Sequence, residues 1–157
     1  MANAVKKNEW KGVTEALLQS RQLLLDTING NADAVARGIE DVHDNNTSVL
    51  SYNNENSLAC VISLAYYYAR IDYHIHREYP TGKGFADLVM IPRKPDDGRP
   101  AIVVELKYGD TVDTALSQIR QKKYPARLAE YAGRLLLVGI SYDKRNKHHT
   151  CQIDFGD

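Results

Sequence analysis

Phe85-Ala86-Asp87-Leu88-Val89-Met90-Ile91 and Ala101-Ile102-Val103-Val104-Glu105-Leu106-Lys107 are two apolar, β-branched runs separated by a loop rich in Pro, Asp and Gly. Runs of this kind, bounded by turn residues, predict two strands. Joined as an antiparallel hairpin with Ile91 opposite Ala101, they set Val89 opposite Val103 and Asp87 opposite Glu105. Directly opposed side chains share a face and lie roughly 5 Å apart at Cβ. Strand alternation returns Lys107 to the face of Glu105. The two runs therefore predict two carboxylates and one ammonium gathered at one end of an otherwise apolar hairpin.

That gathering is costly. Ile102, Val104, Leu106 and Tyr108 line the second face of the same strand, so it reads as buried on both sides and turns charged only at its C-terminal end. Buried charges are expensive unless they are paired or hold a cation. A partly exposed Glu105-Lys107 ion pair is one reading of the pattern. A carboxylate directly opposite the first favours the other, because like charges repel unless they share a cation.

The chain of 157 residues fits one domain with a sizeable core, and its apolar and charged fractions are those of an ordinary globular protein. Lys and Arg balance Asp and Glu, which argues against a basic nucleic-acid coat and leaves a local patch open. Acidic residues concentrate from Asp33 to Glu55 and basic ones from Arg120 to Lys147. Cys60 and Cys151 form neither a CxxC pair nor a Cys/His cluster, so a disulfide scaffold and a structural zinc are not expected, and a reducing cytoplasm is. The N-terminus lacks a signal-peptide core, and no apolar run reaches the ~20 residues of a membrane helix.

Helical spacing of Val13, Leu17, Leu18, Leu24, Leu25 and Ile28 predicts a helix from Glu9 to about Ile28, ended by Asn29-Gly30-Asn31. A shorter amphipathic helix is expected from Asp33 to His43. The Asn-rich run from Asn45 to Asn54 reads as a loop able to cap a buried helix from Glu55 to Ile71. Tyr73 to Glu78 predicts a strand and Pro80 to Gly84 a turn. After the hairpin come a helix from Thr111 to Lys123, a helical turn from Pro125, a strand from Arg134 to Tyr142, a turn from Asp143 to Lys147 and a final strand from His149 to Phe155. Strands followed by one crossover helix predict an α/β fold with a mixed sheet of four to five strands. His148 and His149, adjacent on a strand, should point to opposite faces, and a polar strand start is the expected role.

These residues resemble the PD-(D/E)XK nuclease superfamily, in which one strand carries an acid and the next an acid, a spacer and Lys. More specifically, Asn54-Glu55-Asn56-Ser57-Leu58, Gly82-Lys83-Gly84-Phe85-Ala86-Asp87, Val104-Glu105-Leu106-Lys107, Ala115-Leu116-Ser117-Gln118-Ile119, Lys123-Tyr124-Pro125 and Leu137-Val138-Gly139-Ile140-Ser141-Tyr142 look like the C-terminal nuclease domain of bacterial AAA-ATPase-like proteins. The resemblance implies a restriction-endonuclease-like αβββαβ core over residues 53–157, with residues 1–52 as a helical segment packing on it or leading into it. Gly82-Lys83-Gly84 lacks phosphate-loop spacing, so an ATPase-like domain would be a separate partner.

The resemblance also implies roles. Asp87, Glu105 and the Leu106 carbonyl would hold Mg²⁺ or Mn²⁺, with Lys107 orienting water or stabilising phosphate charge. Glu55 would complete the metal shell, although a Glu in a first helical turn also serves the helix dipole. Gln118 and Tyr124 would lie near substrate, with Lys122 and Lys123 facing a phosphate backbone. Phe85 departs from the family pattern, standing where many relatives carry a basic residue. The implied activity is hydrolysis of phosphodiester bonds, with DNA the expected substrate and a homodimer the arrangement of many such nucleases. A nuclease-like module that binds nucleic acid or a protein without cutting is the rival reading.

Overall fold

The computed structural model describes residues 2–45, 55–81, 84–109, 117, 128, 130–131 and 133–156. Helix α1 (Ala2–Ile28) begins earlier than its apolar spacing predicts, and α2 (Ala32–Asn45) and α3 (Glu55–Ala65) follow. The sheet is built from β1 (Tyr73–Thr81), β2 (Gly84–Pro92), β3 (Ala101–Tyr108), β4 (Leu135–Asp143) and β5 (His148–Gly156), arranged in that order. Only the β3–β4 pair is parallel, which makes the sheet mixed. With helices flanking its five strands, the protein has the expected restriction-endonuclease-like α/β fold.

Asn29-Gly30-Asn31 ends α1 as the sequence predicts. Gly30 adopts φ 76°, a left-handed conformation that costs glycine little, and two reversed bonds close the end. The Asn31 N–H donates to the Asp26 carbonyl at 2.8 Å, and the Gly30 N–H to that of Thr27 at 3.1 Å. The chain can then turn back so that α2 packs beside α1. Gly38 makes the approach close, since a Cβ there would lie 3.0 Å from a Leu23 methyl.

The buried helix expected from Glu55 to Ile71 is shorter than predicted. It stops at Ala65 and continues as a 3-10 segment, Tyr67–Ile71. The physical reason lies on α1: the Ser20 hydroxyl donates to the Ala65 carbonyl at 2.7 Å and accepts the Tyr68 N–H at 2.9 Å. Two backbone groups freed by the break are thus satisfied by one buried side chain. Burial is also less even than expected. Leu58, Val61, Ile62, Ala65, Tyr66 and Ala69 are buried, whereas Leu64, Tyr67 and Ile71 are exposed.

Strand β1 runs to Thr81, beyond the predicted Glu78, so Pro80 pairs with Phe85 instead of opening a turn. An edge strand tolerates a proline in this way. The predicted loop Asn45–Asn54 lies outside the described residues except for Asn45, which ends α2. The predicted helix Thr111–Lys123 also lies outside them apart from Ser117, which is helical, and the turn at Pro125 lies outside entirely.

Two apolar layers cover the sheet. Leu88, Met90, Ile102, Val104, Leu106, Leu136, Val138 and Ile140 pack against Leu23, Leu24, Val35, Ile39, Leu58 and Ile62 of the three helices. Val89, Ile91, Ala101, Val103, Leu135 and Leu137 form the opposite layer with Leu128 and Tyr131 from the β3–β4 connection. Strand alternation assigns Asp87, Glu105 and Lys107 to this second face.

Candidate active site

The central hairpin pairs Leu88 with Val104, Val89 with Val103 and Met90 with Ile102, the register predicted from the sequence. It is short at both ends. Pro92 and Pro100 have no N–H with which to extend it on the loop side. On the other side the expected pairing of Asp87 with Glu105 is not made as a ladder pair, because Asp87 Oδ2 accepts the Leu106 N–H at 2.8 Å. A continued ladder would give that N–H to the carbonyl of Ala86. The two strands therefore part where their charged residues begin.

The parting leaves one carboxylate oxygen over. Asp87 Oδ1 has no hydrogen-bond donor among the described residues. A strand residue directs its N–H and C=O to the same neighbour, so the Leu106 carbonyl points to the β2 side, as its N–H does. Glu105 is 4% exposed, and Lys107 is half-buried on the same face. A carboxylate as buried as Glu105 needs partners or a cation to offset its lost hydration.

The parallel pair sets Gly139 beside Glu105 and Ser141 beside Lys107. Strand β5 then places Gln152 beyond Gly139 and Thr150 beyond Ser141. On the other side, Arg77 pairs with Leu88 and Tyr79 with Ala86, which leaves Glu78 at the position opposite Asp87. Glu78 has φ 52°, rare for a residue with a side chain, and the β1–β2 ladder skips it. One transverse row of the sheet thus reads Glu78, Asp87, Glu105, Gly139, Gln152. The sequence reading singled out only the middle acids, because the outer positions depend on strand partners that periodicity does not reveal.

The other predicted residues are placed less fully. Glu55 opens α3, and its side chain lies outside the described residues. Gln118, Lys122, Lys123 and Tyr124 lie outside them as well. Among the described residues no three His, Cys, Asp or Glu side chains are grouped to hold a metal. The two carboxylates with the Leu106 carbonyl nevertheless suit a hard divalent ion, which commonly takes one or two carboxylates and fills its shell with water and phosphate oxygens.

His148 and His149 do point apart, but the polar strand start expected of them is corrected for His149. His148 is exposed, whereas the His149 side chain is fully buried on the helix side of the sheet. Its ring lies 5.0 Å from that of Tyr142 and 5.6 Å from that of His43. Glu40 Oε1 of α2 accepts the His149 N–H at 2.8 Å and lies 3.4 Å and 3.6 Å from Nδ1 of His148 and His149. Burial pushes the His149 imidazole down to about 4, and it lowers His43 too. Burial works to raise the Glu40 carboxyl, but the His149 N–H and the two imidazoles outweigh it and leave the group below its ordinary value. The sequence signal for this cluster was His43 recurring three residues after Glu40 on an amphipathic helix, which does not identify the strand it meets.

No curated protein matches the chain. A family model of the PD-(D/E)XK nuclease superfamily matches residues 53–151, spanning α3, β1 to β4 and the start of β5. With an acid on one strand and the acid, spacer and Lys of the next meeting where their ladder ends, the chain belongs to the PD-(D/E)XK nuclease superfamily.

Proposed function

We propose that this protein is a divalent-metal-dependent nuclease that hydrolyses phosphodiester bonds in DNA, using Mg²⁺ or Mn²⁺. The observation that carries the reading is the parting of β2 from β3 at Asp87, which leaves a carboxylate oxygen without a donor beside the Glu105-Leu106-Lys107 tripeptide. Asp87 Oδ1, the Glu105 carboxylate and the Leu106 carbonyl hold the ion in this reading, with Glu55 completing the shell. When bound, the ion supplies positive charge at the scissile phosphate and acidifies a coordinated water. Leu106 contributes twice, since its N–H fixes the Asp87 carboxylate and its carbonyl faces the same opening. Lys107 places an ammonium where negative charge grows on the phosphate, or orients the attacking water. Gln118, Lys122, Lys123 and Tyr124 serve substrate binding, and the product carries a 5′-phosphate.

The wider setting follows from the same resemblance. The domain acts in the cytoplasm, where free thiols such as Cys60 and Cys151 persist, beside an AAA-ATPase-like domain and as a homodimer able to address both strands. No helix of the described residues is long and apolar enough to cross a membrane.

The test is incubation with supercoiled, linear and single-stranded DNA and with RNA, in Mg²⁺ or Mn²⁺, beside Asp87→Ala and Lys107→Ala. Metal-dependent cutting that falls by about 100-fold or more in both variants is the expected result. Wild type and variants that behave alike would overturn the catalytic reading, and binding retained without cutting would favour the non-catalytic module.

A further inference from the structure

We propose that two copies of this chain pair antiparallel through the outer edge of β5, joining their five-stranded sheets into one with both Asp87-Glu105 sites on the same face. The proposal deepens the homodimer of the nuclease reading, on which its functional consequence rests, by naming the surface that forms it.

The two edges of the sheet are built differently. Strand β1 contains Pro80 and the left-handed Glu78, devices that blunt an edge against further pairing. Strand β5 pairs with β4 without interruption from His148 to Gly156 and contains no proline. His149 identifies which of its groups face outward, because its N–H leaves the sheet for Glu40 of α2. Alternate residues of a strand face the same side, so the N–H and C=O of Cys151, Ile153 and Phe155 face outward as well. Among the described residues no acceptor takes these three N–H groups. Helix α2 thus closes the first outward position and leaves the next three unbonded. Phe155, the last of them, is 77% exposed.

Register selects the occupant. Edge pairing needs a strand whose outward groups recur at the same spacing, and a second β5 running the other way supplies them. Centred on Ile153, the pairing sets Ile153 opposite Ile153 of the second copy, Cys151 opposite its Phe155 and Gln152 opposite its Asp154. All three outward positions are used, and each Asp154 carboxylate faces a Gln152 amide, which offers two N–H donors. Moving the centre to Asp154 opposes two like charges. Moving it to Gln152 sends Phe155 to the His149 position that Glu40 occupies.

A two-fold axis perpendicular to the sheet relates such strands, so the same face of both copies returns to the same side. Five strand spacings, at about 4.8 Å each, then separate the two Glu105 backbones by roughly 25 Å. Both acid clusters therefore open towards one bound duplex and can reach a phosphodiester in each of its strands.

Sedimentation velocity and thermal denaturation of the full chain test the contact without DNA, on wild type, Gln152→Glu, Gln152→Lys, Phe155→Pro and Trp10→Glu. Wild type should sediment as a concentration-dependent dimer. Gln152→Glu opposes Asp154 with a like charge twice in the dimer and should raise its Kd about tenfold, whereas Gln152→Lys should lower it. Phe155→Pro removes an outward N–H and no bond to β4. It should raise Kd about 100-fold, with an unchanged thermal midpoint at dilutions where wild type is itself monomeric. In Mn²⁺, wild type should convert supercoiled plasmid directly to linear DNA, while Phe155→Pro accumulates the nicked circle. A monomeric wild type, a dimer indifferent to the β5 variants, or one lost in Trp10→Glu on the exposed stripe of α1 would overturn the proposal. Equal linearisation by wild type and Phe155→Pro would overturn the shared duplex. A dimer that responds as expected but cuts nothing would overturn the nuclease reading and leave the interface in place.

Discussion

Two charged clusters occupy the same end of the sheet on opposite faces, and they are built on different principles. On the helix side, Glu40 meets His43, His148 and His149 around Tyr142, and one Glu40 oxygen takes the His149 N–H while standing within 3.6 Å of two imidazoles. A backbone N–H fills one carboxylate oxygen, and burial disfavours charge on the enclosed imidazoles. On the other face, Asp87 accepts one N–H and has an oxygen left over, beside a second carboxylate buried to a similar depth as the helix-side ring. A cluster whose carboxylate takes a strand N–H ties α2 to β5. One that leaves a carboxylate oxygen over is suited to a cation brought from solution.

Asp87→Asn tests that contrast most severely. The amide oxygen can still accept the Leu106 N–H, so stability should stay within about 1 kcal/mol of wild type while metal-dependent cleavage falls about 100-fold or more. A variant that cuts normally would show that the charge is not what the site needs. On the other face, Glu40→Ala strips the His149 N–H of its acceptor and should cost about 1–3 kcal/mol in urea denaturation. An unchanged unfolding midpoint would mean that α2 is held by apolar packing alone.

The next effect in size is the pH response. His149 titrates at about 4 when folded and near its ordinary 6.5 when unfolded, so between those values the unfolded chain binds more protons. Stability should therefore be flat above pH 6.5 and fall as pH drops towards 4, with a slope approaching about 1.4 kcal/mol per unit for one proton. The lowered His43 acts in the same direction, and Glu40 extends the loss below its ordinary 4.5. Denaturation at pH 7 and pH 5 checks this, and equal midpoints would refute a buried neutral His149. The smallest change belongs to His148→Ala. Its ring is exposed, and an exposed ion pair is worth about 0–1 kcal/mol, so the unfolding midpoint should barely move.

Legibility in the sequence followed the range of the interactions involved. The hairpin register was readable because Pro92 and Pro100 bound a short loop between two apolar runs. The end of α1 was readable because Asn29-Gly30-Asn31 carries its own turn chemistry. The end of α3 was not, since what stops it at Ala65 is Ser20, which is distant in sequence. His149 was misjudged for a related reason. A histidine opening a strand resembles a solvated end until α2 is seen to cover it.

By itself, then, the sequence determined which residues could form strands, which of them carried charge at an apolar strand end, and that Asp87 and Glu105 stand at opposite positions when Ile91 faces Ala101. These are properties of neighbours in the chain and of a side-chain period of two. The tertiary structure alone decided that the hairpin parts one step early, that Asp87 turns to the Leu106 N–H, and that Gly139 and Gln152 continue the row of acids. Such positions are set by strand order and by the hydrogen bonds left when a ladder stops. Both arise between segments that the linear chain keeps far apart.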